Sequence, residues 1–122
     1  MRIFRTKWFT RFARREGISD SSLLDAIARA ERGLVDADLG GGLIKQRVAR
    51  QGEGRSGGYR FLFAYRARER AVFFFGFGKS ARENLEPDEM NTARQVAADW
   101  LAADALRIAQ AVEDGALTEV FE

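Results

Sequence analysis

The sequence contains no cysteine and no histidine among its 122 residues. Without cysteine, the chain has no disulfide framework, no thiolate nucleophile and no cysteine-ligated metal site. Without histidine, three mechanisms are excluded: histidine-dependent nucleophilic triads, imidazole-ligated zinc hydrolysis and paired-histidine ribonuclease chemistry. Lysine, arginine, tyrosine and the carboxylates are therefore the groups left for chemistry.

Long apolar segments are also absent. The longest apolar run, Ala71–Phe77, has seven residues, whereas a helical membrane span needs about twenty. The N-terminal residues lack the apolar core of a signal peptide. We therefore expect a soluble, cytoplasmic protein with no membrane partner. The length and the 46% apolar content predict a single domain over residues 1–122.

Positive charge is concentrated in the middle of the chain. Residues 40–82 carry ten Lys/Arg and two Asp/Glu, a formal +8, whereas residues 83–122 carry two and ten, a formal −8. Residues 40–60 alone hold seven of the twelve glycines and five cations. An acidic helix that screens a basic sheet within the molecule would also account for this pattern. Because the cations lie in predicted strands and a glycine-rich loop, we favour a surface that binds nucleic acid.

Hydrophobic periodicity predicts an α+β fold. Helical spacing indicates helices over about Lys7–Glu16, from Ser19–Ser22 to Gly33, and from Pro87 to Gly115 with a break near Ala103. Alternating or continuous apolar runs indicate three strands, Leu43–Arg50, Tyr59–Arg66 and Ala71–Gly78. We expect an antiparallel meander with the helices on one face. Arg2–Arg5 is either a first strand or the approach to a helix, and Leu117–Phe121 is a strand or a docked tail.

Two nucleotide-binding motifs are present only in part. Gly52-x-Gly54-x-x-Gly57 matches the dinucleotide fingerprint, but a strand follows it where that motif requires a helix. Gly78-Lys79-Ser80 resembles the end of a P-loop, but Phe73 stands at the position of its first glycine. Glu53 is the only acid in the glycine loop, so a two-metal nuclease is also disfavoured.

A site of lysines and arginines can still cleave RNA, because the ribose 2′-OH is a nucleophile within the substrate. Lys45 and Lys79 are the candidates for proton transfer, since neighbouring cations lower a lysine pKa. Arg47 and Arg60 are the candidates for a phosphate clamp. Further RNA contacts are expected from Arg50, Arg55, Tyr59 and Arg82. Tyr59 lies on an aromatic strand face that either stacks on bases or packs in the core. For the arginines the alternative is that a single arginine on a strand is often only a solvated or salt-bridged surface residue.

These features together resemble the RelE/ParE superfamily of bacterial toxins, and most of all its HigB-like branch. The resemblance spans about residues 3–101 and rests on three segments, Asp38–Arg50, Gly52–Arg60 and Phe75–Leu85. It implies a RelE-like fold with two N-terminal helices on the meander and a C-terminal helical segment over about 87–122. It also implies a metal-independent endoribonuclease without cofactor, which cuts mRNA in the ribosomal A site by 2′-OH attack and is held inactive by a small antitoxin.

The family places its basic site residues at positions that correspond here to Lys45, Arg47, Arg60 and Lys79. Its better studied nucleases also carry an arginine directly after the last of these and a tyrosine further on, where this chain has Ser80 and Glu86. Arg82 is the candidate replacement for that arginine. Two alternatives stay open: a gyrase-directed toxin without ribonuclease activity, which the superfamily also contains, and a non-catalytic nucleic-acid-binding module.

Overall fold

The computed structural model describes residues 1–50, 58–79, 81–82 and 84–121. In chain order the elements are β1 (Arg2–Thr6), α1 (Lys7–Glu16), α2 (Asp20–Glu31), β2 (Ala37–Asp38), β3 (Leu43–Val48), β4 (Tyr59–Arg66), β5 (Arg70–Gly78), α3 (Pro87–Ala102), α4 (Ala105–Glu113) and β6 (Leu117–Val120). The α+β class is confirmed, and so are the two N-terminal helices and the β4–β5 hairpin. In the described ranges, no helix is both long and apolar enough to cross a membrane.

The strands form one sheet in the order β2-β3-β4-β5-β1-β6. Strands β3, β4 and β5 make the predicted antiparallel meander. Strand β1, however, pairs with β5 in parallel and with β6 antiparallel. The sheet is therefore mixed, and the expectation of a purely antiparallel sheet is wrong. Ile3 and Phe4 point to opposite faces and are both buried, which explains why β1 lies inside the sheet.

Helices cover both faces of the sheet. α1 and α2 pack on one face, where Phe9 and Phe12 contact Phe61 and neighbouring rings. α3 and α4 pack on the other, where Ala97 and Ile108 belong to a second apolar cluster with Leu62. The expectation that all helices share one face is wrong, because β4 and β5 are apolar at successive positions and so need cover on both sides.

The second face is not apolar over its whole length. The α3 side chains pack over its apolar part, which includes Leu43 and Leu62. Further along β3 and β4 the same face carries Lys45, Arg47 and Arg60. Side chains at alternate strand positions share a face. Lys45 and Arg47 therefore lie on the same face as Leu43, and Arg60 lies on the same face as Leu62. This basic part of the sheet is where the candidate site lies.

Candidate active site

The four cations with proposed catalytic roles line one pocket of about 280 Å³. Lys45 and Arg47 come from β3, Arg60 from β4, and Lys79 follows the end of β5. Asp36, Ala37 and Asn84 complete the described lining. The structure thus brings together four cations that are up to 34 positions apart in the chain. Their chemical roles stay predictions.

Arg47 and Arg60 face each other directly across the β3–β4 ladder. Arg60 is only 6% exposed, and its Nη1 donates a hydrogen bond to the carbonyl oxygen of Tyr59 at 3.3 Å. Arg47 is exposed and lines the same pocket. Like charges at directly opposed positions destabilise a sheet. The pair therefore forms an electropositive centre that an anion would stabilise.

Lys45 is half-buried beside these two arginines. Its Nζ donates a hydrogen bond to Asn84 Oδ1 at 3.2 Å. Burial lowers the pKa of Lys45 most, the charges of Arg60 and Arg47 lower it further, and Asp36 opposes them. A lower pKa increases the fraction of neutral amine near neutral pH, and only the neutral amine can accept a proton.

A carboxylate and a buried guanidinium fix the backbone of Arg47. Its N–H donates to Asp36 Oδ2 at 2.7 Å, and its carbonyl accepts from Arg29 Nη2 at 2.6 Å. Arg29 Nη1 also contacts Asp36 Oδ2 at 3.4 Å. Strand β2 pairs with β3 only opposite Lys45 and Ile44. The side chains of Asp36 and Arg29 therefore take the place of a paired strand beyond the end of β2. They hold the backbone of Arg47 in the position that directs its side chain to the pocket.

Gln46 holds the segment before β2 against the sheet. Its side chain is fully buried, and Nε2 donates to the carbonyls of Ala26 and Leu34 at 3.2 and 3.0 Å. Its Oε1 accepts from the backbone N–H of Asp36 at 2.8 Å. Sequence reasoning missed Asp36, Arg29 and Gln46. The available signal was a charged residue, Arg29, on the buried side of α2, where an unpaired cation would be costly.

The additional RNA-binding candidates are placed differently from the four pocket cations. Tyr59 is 5% exposed and belongs to the core under α1, and its hydroxyl donates to Glu16 Oε1 at 3.1 Å. Its ring has no open face for a base, so the expected RNA contact of Tyr59 is withdrawn. Arg50 lies over that ring at 4.8 Å from its centroid and pairs with Glu16 at 3.7 Å. Arg55 lies outside the described residues.

Arg82 is held by α3. Its Nη1 donates to Glu89 Oε2 at 3.0 Å and its Nη2 also contacts that carboxylate. The Arg82–Glu89 hydrogen bond raises the pKa of Arg82 and lowers that of Glu89. The guanidinium also lies over the ring of Phe77 at 5.6 Å. Because Arg82 does not line the pocket of the four cations, its expected role as a substitute for a site arginine lacks support from this geometry.

No group of three or more acidic side chains in the described ranges is arranged to hold a metal ion. Among the described residues that line the pocket, the only carboxylate is Asp36, and it is already hydrogen-bonded to Arg47 and Arg29. The arrangement can bind a phosphate and move protons through amines.

Comparison with known proteins gives a match over nearly the whole chain. A family model described as "RelE toxin of RelE / RelB toxin-antitoxin system" matches residues 1–120. No curated protein matches the sequence. The family match includes the six strands and four helices of the described ranges and the four cations of the pocket.

Proposed function

This chain belongs to the RelE toxin family of toxin–antitoxin systems, and we propose that it is an endoribonuclease that cleaves mRNA on the ribosome. Family membership makes it a toxin with an antitoxin as its partner. The observation that carries the proposal is the convergence of Lys45, Arg47, Arg60 and Lys79 on one pocket. Two of these groups are permanent cations, and two are amines that can exchange protons.

The arginines bind the scissile phosphate. Arg47 and Arg60 lie side by side across two strands, so their guanidinium groups can donate to both non-bridging oxygens of one phosphodiester. Negative charge on these oxygens increases in the transition state, and fixed cations stabilise it without reorganisation. The same interaction relieves the repulsion between the two arginines. Phosphate binding and charge stabilisation therefore use one pair of residues.

The lysines transfer the protons. Lys45, whose pKa is lowered, accepts the proton of the 2′-OH as the O2′–P bond forms. The P–O5′ bond breaks, and the ammonium group of Lys79 donates a proton to the leaving 5′ oxygen. The products are a 2′,3′-cyclic phosphate and a 5′-hydroxyl. This step needs no water and no external reactant, because the nucleophile belongs to the RNA.

The described pocket has little with which to hold a base, and this supports a requirement for the ribosome. Its described lining includes no aromatic ring, and Tyr59 is buried in the core. In-line attack requires that the nucleotide is held in one conformation. We propose that the ribosomal A site supplies this orientation, as the family resemblance implies.

The antitoxin neutralises the same charge. Residues 40–82 carry a formal +8, so we propose that an acidic or amphipathic antitoxin segment covers the pocket. Such a segment would occupy the phosphate site of Arg47 and Arg60 and exclude RNA from it.

Mapping of transcript ends after brief induction, with translation running or blocked, tests the proposal. We expect cuts within translated mRNA that disappear when translation is blocked. We expect the cleavage rates of Lys79→Ala and Arg60→Ala to fall by about a hundredfold or more. Arg32→Ala changes an exposed cation after α2 and should cleave at the rate of the parent. Intact mRNA together with DNA-damage signalling would instead indicate a gyrase-directed toxin. Salt-sensitive RNA binding without growth arrest would indicate a plain binding module.

A further inference from the structure

Asn84 is the one uncharged polar side chain in the described lining of the four-cation pocket. It lies in the segment between β5 and α3 and is exposed. Its Oδ1 accepts a hydrogen bond from Lys45 Nζ at 3.2 Å. Among the residues that the structure describes, no other forms a hydrogen bond with the Lys45 amine. The direction of this amine in the pocket therefore depends on Asn84.

The charged groups around Lys45 do not replace this contact. Arg47, Arg60 and Lys79 carry only donors, so none of them can accept a proton of the Lys45 ammonium group in a hydrogen bond. The Asp36 carboxylate raises the Lys45 pKa by its charge, but its described side-chain hydrogen bonds go to the Arg47 N–H and to Arg29. Asn84 is thus the acceptor that the amine uses.

A series of contacts with α3 fixes the position of Asn84. Arg82 Nε donates to the Asn84 carbonyl oxygen at 3.2 Å, and the Arg82 guanidinium is bound to Glu89 on α3. Glu89 Oε1 also accepts from the Glu86 N–H at 2.9 Å, at the start of that helix. The N-terminal end of α3 therefore holds Asn84 beside the pocket.

An amide suits a lysine that must act as a base. When the amine is neutral it has one lone pair, and a hydrogen bond from one of its protons to the amide oxygen directs that lone pair away from Asn84. The amide also carries no charge. A carboxylate at the same place would attract the ammonium form and raise the Lys45 pKa, against the effect of burial and of the neighbouring arginines.

We propose that Asn84 is a positioning residue that orients the Lys45 amine to accept the proton of the ribose 2′-OH. This inference rests on the proposed endoribonuclease function, and Asn84 acts through Lys45 without contact with the reacting atoms. Because Asn84 is exposed, its replacement should leave stability in urea near that of the parent. Its contribution is therefore expected in the reaction and not in the fold.

The test is the pH–rate profile of single-turnover cleavage on programmed ribosomes. Asn84→Asp retains an acceptor of nearly the same shape and places a carboxylate against the Lys45 amine, which should raise the Lys45 pKa by about one unit. Lys45 accepts a proton only when it is neutral, so the acid limb of the profile should move to higher pH by the same amount. We expect the rate on that limb to fall about tenfold and the plateau at higher pH to stay near the parent.

Two further variants separate orientation from charge. Asn84→Leu removes the acceptor and adds no charge, so its plateau rate should fall about tenfold through loss of orientation. Its acid limb should not move to higher pH, because the lost amide oxygen favoured the charged amine. The matched control Asn91→Asp makes the same charge change at an exposed α3 side chain outside the described lining of the pocket, and its profile should remain that of the parent.

An NMR titration of isotope-labelled lysine side chains measures the Lys45 pKa without any cleavage, and Lys45→Arg assigns the signal. The pKa should rise in Asn84→Asp and stay unchanged in Asn91→Asp. An Asn84→Asp protein with the pH profile and the Lys45 pKa of the parent, or an Asn91→Asp protein that shifts equally, would overturn the inference while normal cleavage by the parent leaves the proposed function intact. A parent that cleaves no mRNA would overturn the proposed function, and the positioning role with it, whatever the titration gives.

Discussion

Arg47 and Arg60 are directly opposed across strands β3 and β4, on the face of the sheet that also carries Lys45. Directly opposed like charges lower sheet stability by a few tenths to about 1 kcal/mol. Two lysines complete the same pocket, which adds to the positive charge. Asp36 and Arg29 hold the backbone of Arg47 in this position, and a phosphate bound at the proposed site would offset the repulsion between the two arginines.

Replacement of Arg47 should therefore separate stability from activity. Arg47→Gln removes one charge of the opposed pair and leaves its backbone hydrogen bonds to Asp36 and Arg29 in place. We expect the free energy of unfolding in urea to rise by about 0.2 to 1 kcal/mol. Cleavage should fall by about a hundredfold or more, as for loss of a transition-state donor. A variant that is less stable but cuts normally would show that Arg47 serves the fold.

The charge of Asp36 should set the pH dependence of cleavage. In Asp36→Asn the amide oxygen can still accept from the Arg47 N–H, but the negative charge that raises the Lys45 pKa is lost. The Lys45 pKa then falls further. Because Lys45 acts as a base only when neutral, the rate increases with pH up to this pKa, and the acid limb of the pH–rate profile should move to lower pH.

Lys45→Arg is the control for that measurement. It keeps a positive charge but cannot deprotonate, so the acid limb assigned to Lys45 should vanish and the rate should fall by about a hundredfold. An Asp36→Asn profile that shifts to higher pH, or stays where it is, would remove Lys45 from the role of base.

Gly58 should be required for the pairing that places Arg60. A Cβ atom at Gly58 would lie 2.1 Å from the Val48 carbonyl oxygen and 2.6 Å from the Arg50 nitrogen. These are backbone atoms, so Gly58→Ala must move the start of β4 away from β3. We expect a loss of about 1 to 3 kcal/mol in urea unfolding together with loss of cleavage.

Gly17→Ala is the matched control for Gly58→Ala. Gly17 has φ +70, and a Cβ atom added there would have no neighbouring atom within 4 Å. The change therefore strains the backbone by about 1 to 2 kcal/mol without touching the pocket. It should reduce stability and retain cleavage. Normal cleavage by Gly58→Ala would show that the β3–β4 contact at this point does not position the site.

Arg82 should matter less for cleavage than Lys79. Arg82 is bound to Glu89 on α3, whereas Lys79 lines the pocket. In single-turnover assays with programmed ribosomes, we expect Arg82→Ala to lose less than about tenfold in rate and Lys79→Ala about a hundredfold or more. Equal losses would mean that Arg82 leaves Glu89 and enters the pocket when RNA binds.

Much of the site could be predicted because it depends on local periodicity. Alternation along β3 places Lys45 and Arg47 on one face. Arg60 and Lys79 lie at the open end of the β4–β5 hairpin, opposite its turn. The two N-terminal helices followed from apolar spacing and the C-cap at Gly17, which has φ 70. These features are determined by residues that are close together in the sequence.

The remaining features depend on contacts between distant segments. The parallel pairing of β1 with β5 could not be read from five residues, because periodicity indicates a strand but not its partner. Alternation likewise grouped Tyr59 with Phe61 but did not show that α1 covers that face. Asp36 and Arg29 act on the backbone of Arg47, and no sequence motif records such a contact.

The most direct measurement uses an mRNA with a single 2′-deoxy nucleotide on the 5′ side of the scissile bond, presented in the A site of a ribosome. We expect the protein to bind this complex as tightly as the all-ribose complex and to leave the bond intact. We also expect the all-ribose mRNA to give a 2′,3′-cyclic phosphate end. Cleavage of the deoxy substrate at a similar rate would contradict 2′-OH attack, because a different nucleophile would then be attacking the phosphate.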